Sequence, residues 1–228
     1  MSAGPAHVQP EPALAPELLG PPADADQVQA VLGASASQMA DLEAFRRLLA
    51  EWNEGMNLVG PSAMAEFWSR HVYDSAQLLA LAPKARIWAD AGAGAGFPGV
   101  VLAILLKDTP GARVHLVESM AKRCRFLQAI VDLLALPAEV HNVRAEDLEL
   151  RVDVVCARAC APLVRLLGYT QPYLARGATG LFLKGQDVVS ELTQAAKCWS
   201  FEAHLTVSLS HPEGRILQVR GLKRVRQV

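Results

Sequence analysis

No apolar run in the 228 residues approaches the roughly 18–20 needed to cross a bilayer, so the chain is not expected to span a membrane. A positive region followed by an apolar stretch is also missing from the N-terminus, and no secretory signal is expected. The four cysteines (Cys124, Cys156, Cys160 and Cys198) form no CxxC pair. They read as reduced thiols of a cytoplasmic protein, used as small buried hydrophobes, and no metal site is expected. Basic residues are missing from one end and acidic ones from the other. Met1 to Ala44 holds six acidic residues and no Lys or Arg. From Arg215 onward come Arg215, Arg220, Lys223, Arg224 and Arg226 with no acid. The formal net charge of −1 therefore hides a body in which 22 basic residues face 17 of the 23 acidic ones. That asymmetry fits either ordinary solvated charge or a body that meets a polyanion.

What is present divides the chain into three parts. Residues 1–30 are rich in Pro, Ala and Gly without periodicity and read as a disordered extension. Residues 36–83 read as a helical cap. Met39, Leu42, Phe45, Leu48, Leu49 and Trp52 recur at helical spacing, "WNEGMNLVGP" breaks the helix, and a second helix is expected over 63–81. Residues 84–228 alternate strands and helices. "ARIWADAG", "ARVHLVE", "AEVHNV", "VDVVCARA" and "TGLFLKG" are strands. "PGVVLAILLK", "AKRCRFLQAIVDLLAL" and about 187–198 are helices, and no element is assigned to 162–174. Such alternation implies an α/β fold with a parallel, doubly wound sheet. The last two strands, "FEAHLTVSL" and "GRILQVRGL", are separated only by a turn around His211–Gly214, too short for a crossover helix. An antiparallel final hairpin is expected to close a sheet of seven strands.

The glycine-rich loop after the first strand, "DAGAGAGFPG", fits two frames. Gly94-x-Gly96-x-x-Gly99 matches the dinucleotide fingerprint, and Asp90-x-Gly92-x-Gly94-x-Gly96 matches an acidic-first loop of S-adenosylmethionine enzymes. Pro98, at the start of the following helix, removes an N–H that a pyrophosphate would use. That favours the phosphate-free cofactor, with Gly92 and Gly94 permitting close backbone approach. Glu118 ends the second strand, where a carboxylate accepts both hydroxyls of an adenosine ribose in either frame. "RAED" (144–147) follows the third strand, where a backbone N–H and an acid can meet an adenine edge. A nicotinamide oxidoreductase and a methyltransferase of small molecules or proteins both remain open on these residues.

In chain order, "WNEGMNLVG", "RHVYDSAQLL", "DAGAGAGFPG", "VESMAKRCRFL", "RAEDL", "CARACAPL" and "FLKG" together resemble the bacterial 16S rRNA guanine-N7 methyltransferases of the RsmG (GidB) type, over about residues 42–222. The resemblance implies a class I S-adenosylmethionine-dependent methyltransferase, Rossmann-like, with a small N-terminal helical cap. The implied substrate is one guanine in the decoding region of 16S rRNA or a small-subunit precursor, and a monomer is expected. It also implies cofactor contacts at Gly92, Phe97, Ala145, Glu146 and Arg158, beside Gly94 and Glu118. Two departures stand out: Glu118-Ser119 where Asp-Ser is common, and Cys156 and Cys160 in "CARACA". Guanine N7 carries a lone pair and no proton, so no catalytic base is expected. The loop 157–160 lacks the Asn/Asp-Pro-Pro-aromatic motif of exocyclic-amine methyltransferases. Neither Cys156 nor Cys160 has the Pro-Cys or Thr-Cys context of a C5-pyrimidine nucleophile. Arg70, His71, Lys122, Arg123, Lys184, Lys223 and Arg224, with Arg125 and Arg226 nearby, are the candidates to track RNA phosphates.

Overall fold

A computed structural model of the chain describes residues 21–225. It opens with α1 (Ala25–Leu32) and α2 (Ala36–Met56). Asp24 caps α1 by accepting from the Gln27 N–H at 2.9 Å, and Ser35 and Gln38 cap α2 reciprocally. The expected disordered extension is thus corrected at its C-terminal end, since α1 buries Val28 completely in the main core. Its Ala- and Gly-rich surroundings hid a short one-sided helix, whose Val31 and Leu32 pack on the same core. The rest of that extension, residues 1–20, lies outside the described residues, as does Arg226.

The helix expected over 63–81 is three pieces: α3 (Pro61–Ala65), a π-helical segment (Phe67–Tyr73) and α4 (Asp74–Leu81). A π turn closes i to i+5 bonds, which widens the helix and brings Phe67, His71, Val72 and Tyr73 all inward. The sheet comprises β1 (Ile87–Ala91), β2 (Arg113–Val117), β3 (Ala138–His141), β4 (Val154–Arg158), β5 (Thr179–Lys184), β6 (Trp199–Val207) and β7 (Arg215–Arg224), in the order β3-β2-β1-β4-β5-β7-β6. The first five strands pair in parallel, and β7 runs antiparallel to both β5 and β6. Four helices connect them: α5 (Gly99–Leu105), α6 (Ala121–Leu134), α7 (Leu163–Leu174) and α8 (Val188–Ala195). α7 occupies the stretch left unassigned in the sequence, where Pro162 at its start and Pro172 in its last turn obscure the periodicity.

Alternation along the strands sorts the core into two layers. Trp88, Val114 and Leu116 face α5 and α6, and join Leu42, Phe45 and Leu49 of α2 in one apolar cluster. The cap therefore shares its core with one face of the sheet. Phe45, fully buried, meets Phe67, Phe97 and Phe126 at ring-centroid distances of 5.8, 5.1 and 6.4 Å. Truncating such a ring to Ala costs about 3–5 kcal/mol. The opposite face, with Ala89, Ala91, Val155 and Phe182, packs on α7. Strand order reverses between β1 and β4, and a crevice opens at the carboxyl ends of strands at such a switch point.

Candidate active site

The glycine loop lies in that crevice. The N–H groups of Gly92 and Ala93 donate to the Val117 carbonyl at 2.9 and 3.0 Å, tying the loop to the end of β2. Gly92 has φ 79, and a Cβ there would stand 2.7 Å from the Cys160 Sγ. Asp90 is completely buried behind the loop, and its Oδ2 accepts from the Gly99 N–H at 2.8 Å, fixing the first turn of α5. Burial pushes its carboxyl up to about 7, against the lowering effect of that hydrogen bond. A side chain at Gly99 would collide with Leu116 and with Asp90 itself.

Glu118 follows β2 and is buried. One carboxylate oxygen accepts from the Gly94 N–H at 3.1 Å and the other from the Met120 N–H at 2.8 Å. The Arg123 guanidinium lies 3.7 Å away. Asn142, just past β3, holds the backbone beneath by donating to the Glu118 and Ser119 carbonyls at 3.1 and 2.9 Å. Above these groups lies a cavity of about 500 Å³, lined by residues 92–95, Phe97, Glu118–Met120, Arg123 and Arg158–Cys160 among others. A smaller recess of about 140 Å³ continues past Glu118 to Ala145 and Glu146, beside Tyr169. The structure thus brings together all seven residues expected at the cofactor.

Arg158, at the end of β4, forms the far wall. Its guanidinium lies 4.8 Å over the Phe97 ring and donates to the Arg70 carbonyl at 2.7 Å and to His71 Nδ1 at 2.5 Å. The His71 ring stacks on Phe97 with centroids 4.6 Å apart. Burial, reinforced by the adjacent guanidinium, pushes the imidazole down to about 3, so it is neutral. With Nδ1 accepting, the proton sits on Nε2, a buried atom with no hydrogen-bond partner among the described residues. A second cavity, about 580 Å³, lies beyond this wall. Ala63, His71, Arg158 and Ala159 border both cavities.

Several expected RNA contacts sit elsewhere than the charge pattern suggests. His71 is a wall residue rather than a surface cation, because the π segment turns it inward. Lys184 reaches the second cavity, but its ammonium is paired with Glu191 at 2.6 Å and only 10% of its side chain is exposed. Arg123 faces Glu118 in the first cavity. Lys122 is exposed and donates to the Gly55 carbonyl at 3.2 Å. Lys223 and Arg224 lie at the opposite end of β7. Arg215 pairs with Lys184 at the cavity, and antiparallel β7 then carries Arg224 nine residues, about 30 Å, away. There its guanidinium lies 5.5 Å over the Trp199 ring. Arg70 remains at the second cavity.

Asp74 stands in the segment "RHVYDSAQLL", but its partners gave no signal in the sequence. Asp74 Oδ1 accepts from the Ser208 and Ser210 hydroxyls at 3.1 and 2.5 Å, fastening α4 to the turn between β6 and β7. These partners are more than 130 residues apart, so no local pattern joins them.

Residues 38–219 match the family model described as GidB, rRNA small subunit methyltransferase G. The chain belongs to this family. Among curated relatives in the GidB family, Ribosomal RNA small subunit methyltransferase G of Caulobacter vibrioides (strain NA1000 / CB15N) is 61% identical over 219 residues, covering 96% of this chain and 100% of that protein. The protein of the same description from Caulobacter sp. (strain K31) is 63% identical over 217 residues, covering 94% of this chain and 98% of its own. Solved structures share the fold at much lower identity. An O-methyltransferase from Bacillus cereus in complex with SAH aligns with a TM-score of 0.55 at 17% identity, covering 86% of this chain and 96% of that one. A SAM-dependent methyltransferase from Aquifex aeolicus aligns with a TM-score of 0.52 at 14% identity, covering 72% and 94%. The architecture is therefore that of class I methyltransferases, and the cofactor of this GidB-family site is S-adenosylmethionine.

Proposed function

We propose that the chain methylates N7 of one guanine in the decoding region of 16S rRNA. The observation that carries this reading is the pair of cavities meeting across the Ala63–His71–Arg158–Ala159 wall, one floored by the glycine loop and one open beyond it. The first cavity fits the cofactor. Its floor has no side chain at Gly92 or Gly94, and a Cβ at Gly92 would drive into Cys160. A buried carboxylate, Glu118, stands ready for a ribose diol. In this reading Glu118 accepts the two ribose hydroxyls, Ala145 and Glu146 meet the adenine edge, and Gly92, Gly94 and Phe97 shape the pocket. S-adenosylmethionine supplies an electrophilic sulfonium methyl when bound.

The residues around the second cavity need only present the nucleophile. Guanine N7 has an in-plane lone pair and no proton, so alignment and exclusion of water suffice. Neither His71 nor Asp90 is placed to act as a base. The His71 Nδ1 lone pair is used by Arg158, and the Asp90 carboxyl is sealed behind the loop. Its thiols are equally unsuited to attack a pyrimidine carbon. Burial pushes Cys156 well above its ordinary value, and burial together with Asp90, Glu118 and Glu146 pushes Cys160 up. Arg158 is better matched to the cofactor carboxylate or an RNA phosphate than to N7, because methylation leaves the ring cationic. Arg70 and Lys122 are the RNA-facing cations of this reading. A monomer suffices, since one chain lines both cavities, and no described helix is long and apolar enough to cross a membrane. The cytoplasm is the compartment in which it would meet rRNA.

The test is chemical. Small-subunit RNA treated with the enzyme and S-adenosylmethionine should yield 7-methylguanosine on digestion. Mild reduction followed by aniline should then cut the RNA at one guanine. A methyl group on carbon or on an exocyclic amine would overturn the assignment.

A further inference from the structure

Away from both cavities, the β2–β3 corner gathers three metal-binding side chains on one face. Parallel pairing sets His115 opposite Glu139, and His141 follows two residues later on the same face. Val114, Leu116 and Val140 point to the other face, into the main core. The His115 Nδ1 and His141 Nε2 atoms are 2.9 Å apart. The two Glu139 oxygens stand 3.8 Å from them, Oε2 from His115 Nδ1 and Oε1 from His141 Nε2. Tetrahedral zinc with bonds of about 2.0–2.2 Å holds neighbouring ligand atoms about 3.3–3.5 Å apart. The two nitrogens are closer than that value and the carboxylate oxygens, one facing each nitrogen, are farther, so side-chain rotations that part the imidazoles and turn one oxygen toward both would seat an ion.

We propose that His115, Glu139 and His141 form a zinc site, with water completing the coordination. Two imidazoles select zinc and its late first-row neighbours over magnesium or calcium. Without metal, the two nitrogens are close enough for one N–H to lie between them. Binding needs only a tautomer shift that moves this proton to an outer ring nitrogen, with no net proton release. Arg113, 3.3 Å from Glu139 Oε2, is placed to steady the carboxylate from outside. The ion would clasp β2 to β3 just below the groups that set Glu118, whose N–H donates to the His141 carbonyl at 3.0 Å. No metal was expected from the sequence, because His115 is 24 and 26 residues from Glu139 and His141 and meets them only through strand register.

Zinc chloride titrated calorimetrically into the chelator-stripped full chain should show one site. His141→Ala and Glu139→Gln, whose side chains are 15% and 50% exposed, should each weaken binding about tenfold or more while the chain stays folded. His204→Ala with His211→Ala should leave it intact. Cobalt substitution should give visible ligand-field bands without a sulfur-to-metal charge-transfer band. Equal titration of wild type and His141→Ala, no uptake by wild type, or a thiolate signature would each overturn the proposal.

Discussion

Replacing Glu118 by Ala removes the acceptor assigned to both ribose hydroxyls. Hydrogen bonds to a charged acceptor contribute about 1.5–3 kcal/mol each. The cavity admits water, which favours the lower figure, so two such bonds amount to about 3 kcal/mol, or somewhat more than a hundredfold in affinity. A second loss adds to the first. The Gly94 and Met120 N–H groups, now held at 3.1 and 2.8 Å, lose their acceptor, and the loop must be ordered at the moment of binding. Glu118→Gln keeps one acceptor oxygen but turns an N–H₂ toward one of these donors, so its defect should be intermediate, about tenfold or more. Calorimetric titration with S-adenosylmethionine gives the affinities, and circular dichroism confirms folding. Wild-type affinity in folded Glu118→Ala would refute the ribose assignment.

Asp90→Asn tests the buried carboxyl through pH. A folded-state value raised from 3.8 to about 7 makes the wild-type contribution full below 3.8 and lost as pH rises through about 7. The Asn variant should therefore gain on wild type, by at most about 4 kcal/mol at pH 8, in urea unfolding. His71 has the opposite sign: its depressed value makes stability fall as pH drops from 6.5 toward about 3. Asp90→Asn should expose that slope; a pH-independent difference between variant and wild type would refute the Asp90 assignment, and a variant whose stability does not fall as pH drops below 6.5 would refute that of His71. Gly92→Ala should impair folding and cofactor binding, and adding Cys160→Ala should recover part of the loss, leaving about 1–2 kcal/mol for the left-handed backbone. A fully additive cycle would mean that Cys160 is not the obstacle. Cys156→Ala with Cys160→Ala should keep most turnover, and a folded but inactive double variant would revive a thiol mechanism. Arg70→Glu should flatten the salt dependence of RNA binding more than reversal of Lys223 and Arg224, and the opposite ranking would place the RNA along the far end of β7.

The gathering of the glycine-loop side of the candidate site was legible in the sequence because it is local. Asp90 lies near the end of β1; the glycine loop, Glu118 and Ala145–Glu146 follow strands recognisable by their own apolar runs, and the parallel strands deliver their ends to one crevice. The substrate half joins the π segment, the end of β4, the end of β5 and the β6–β7 turn, which no short window contains. Helical periodicity placed His71 on a helix but not on its buried side, since the π turn shifts the phase by a residue. The charge run at Lys223 and Arg224 was plain, yet the direction of β7 decides which end of the strands it reaches. The same division bears on how the enzyme can change. Substitutions in the Ser208–Gly214 turn or at Glu66 and Arg70 alter the second cavity and touch no residue of the glycine loop. On the proposed reading, choice of RNA should therefore be adjustable there with little change in cofactor affinity. Arg158 and His71 are the exceptions: they border both cavities and hydrogen-bond to each other, so on the proposed reading a change at either should move cofactor and substrate binding together.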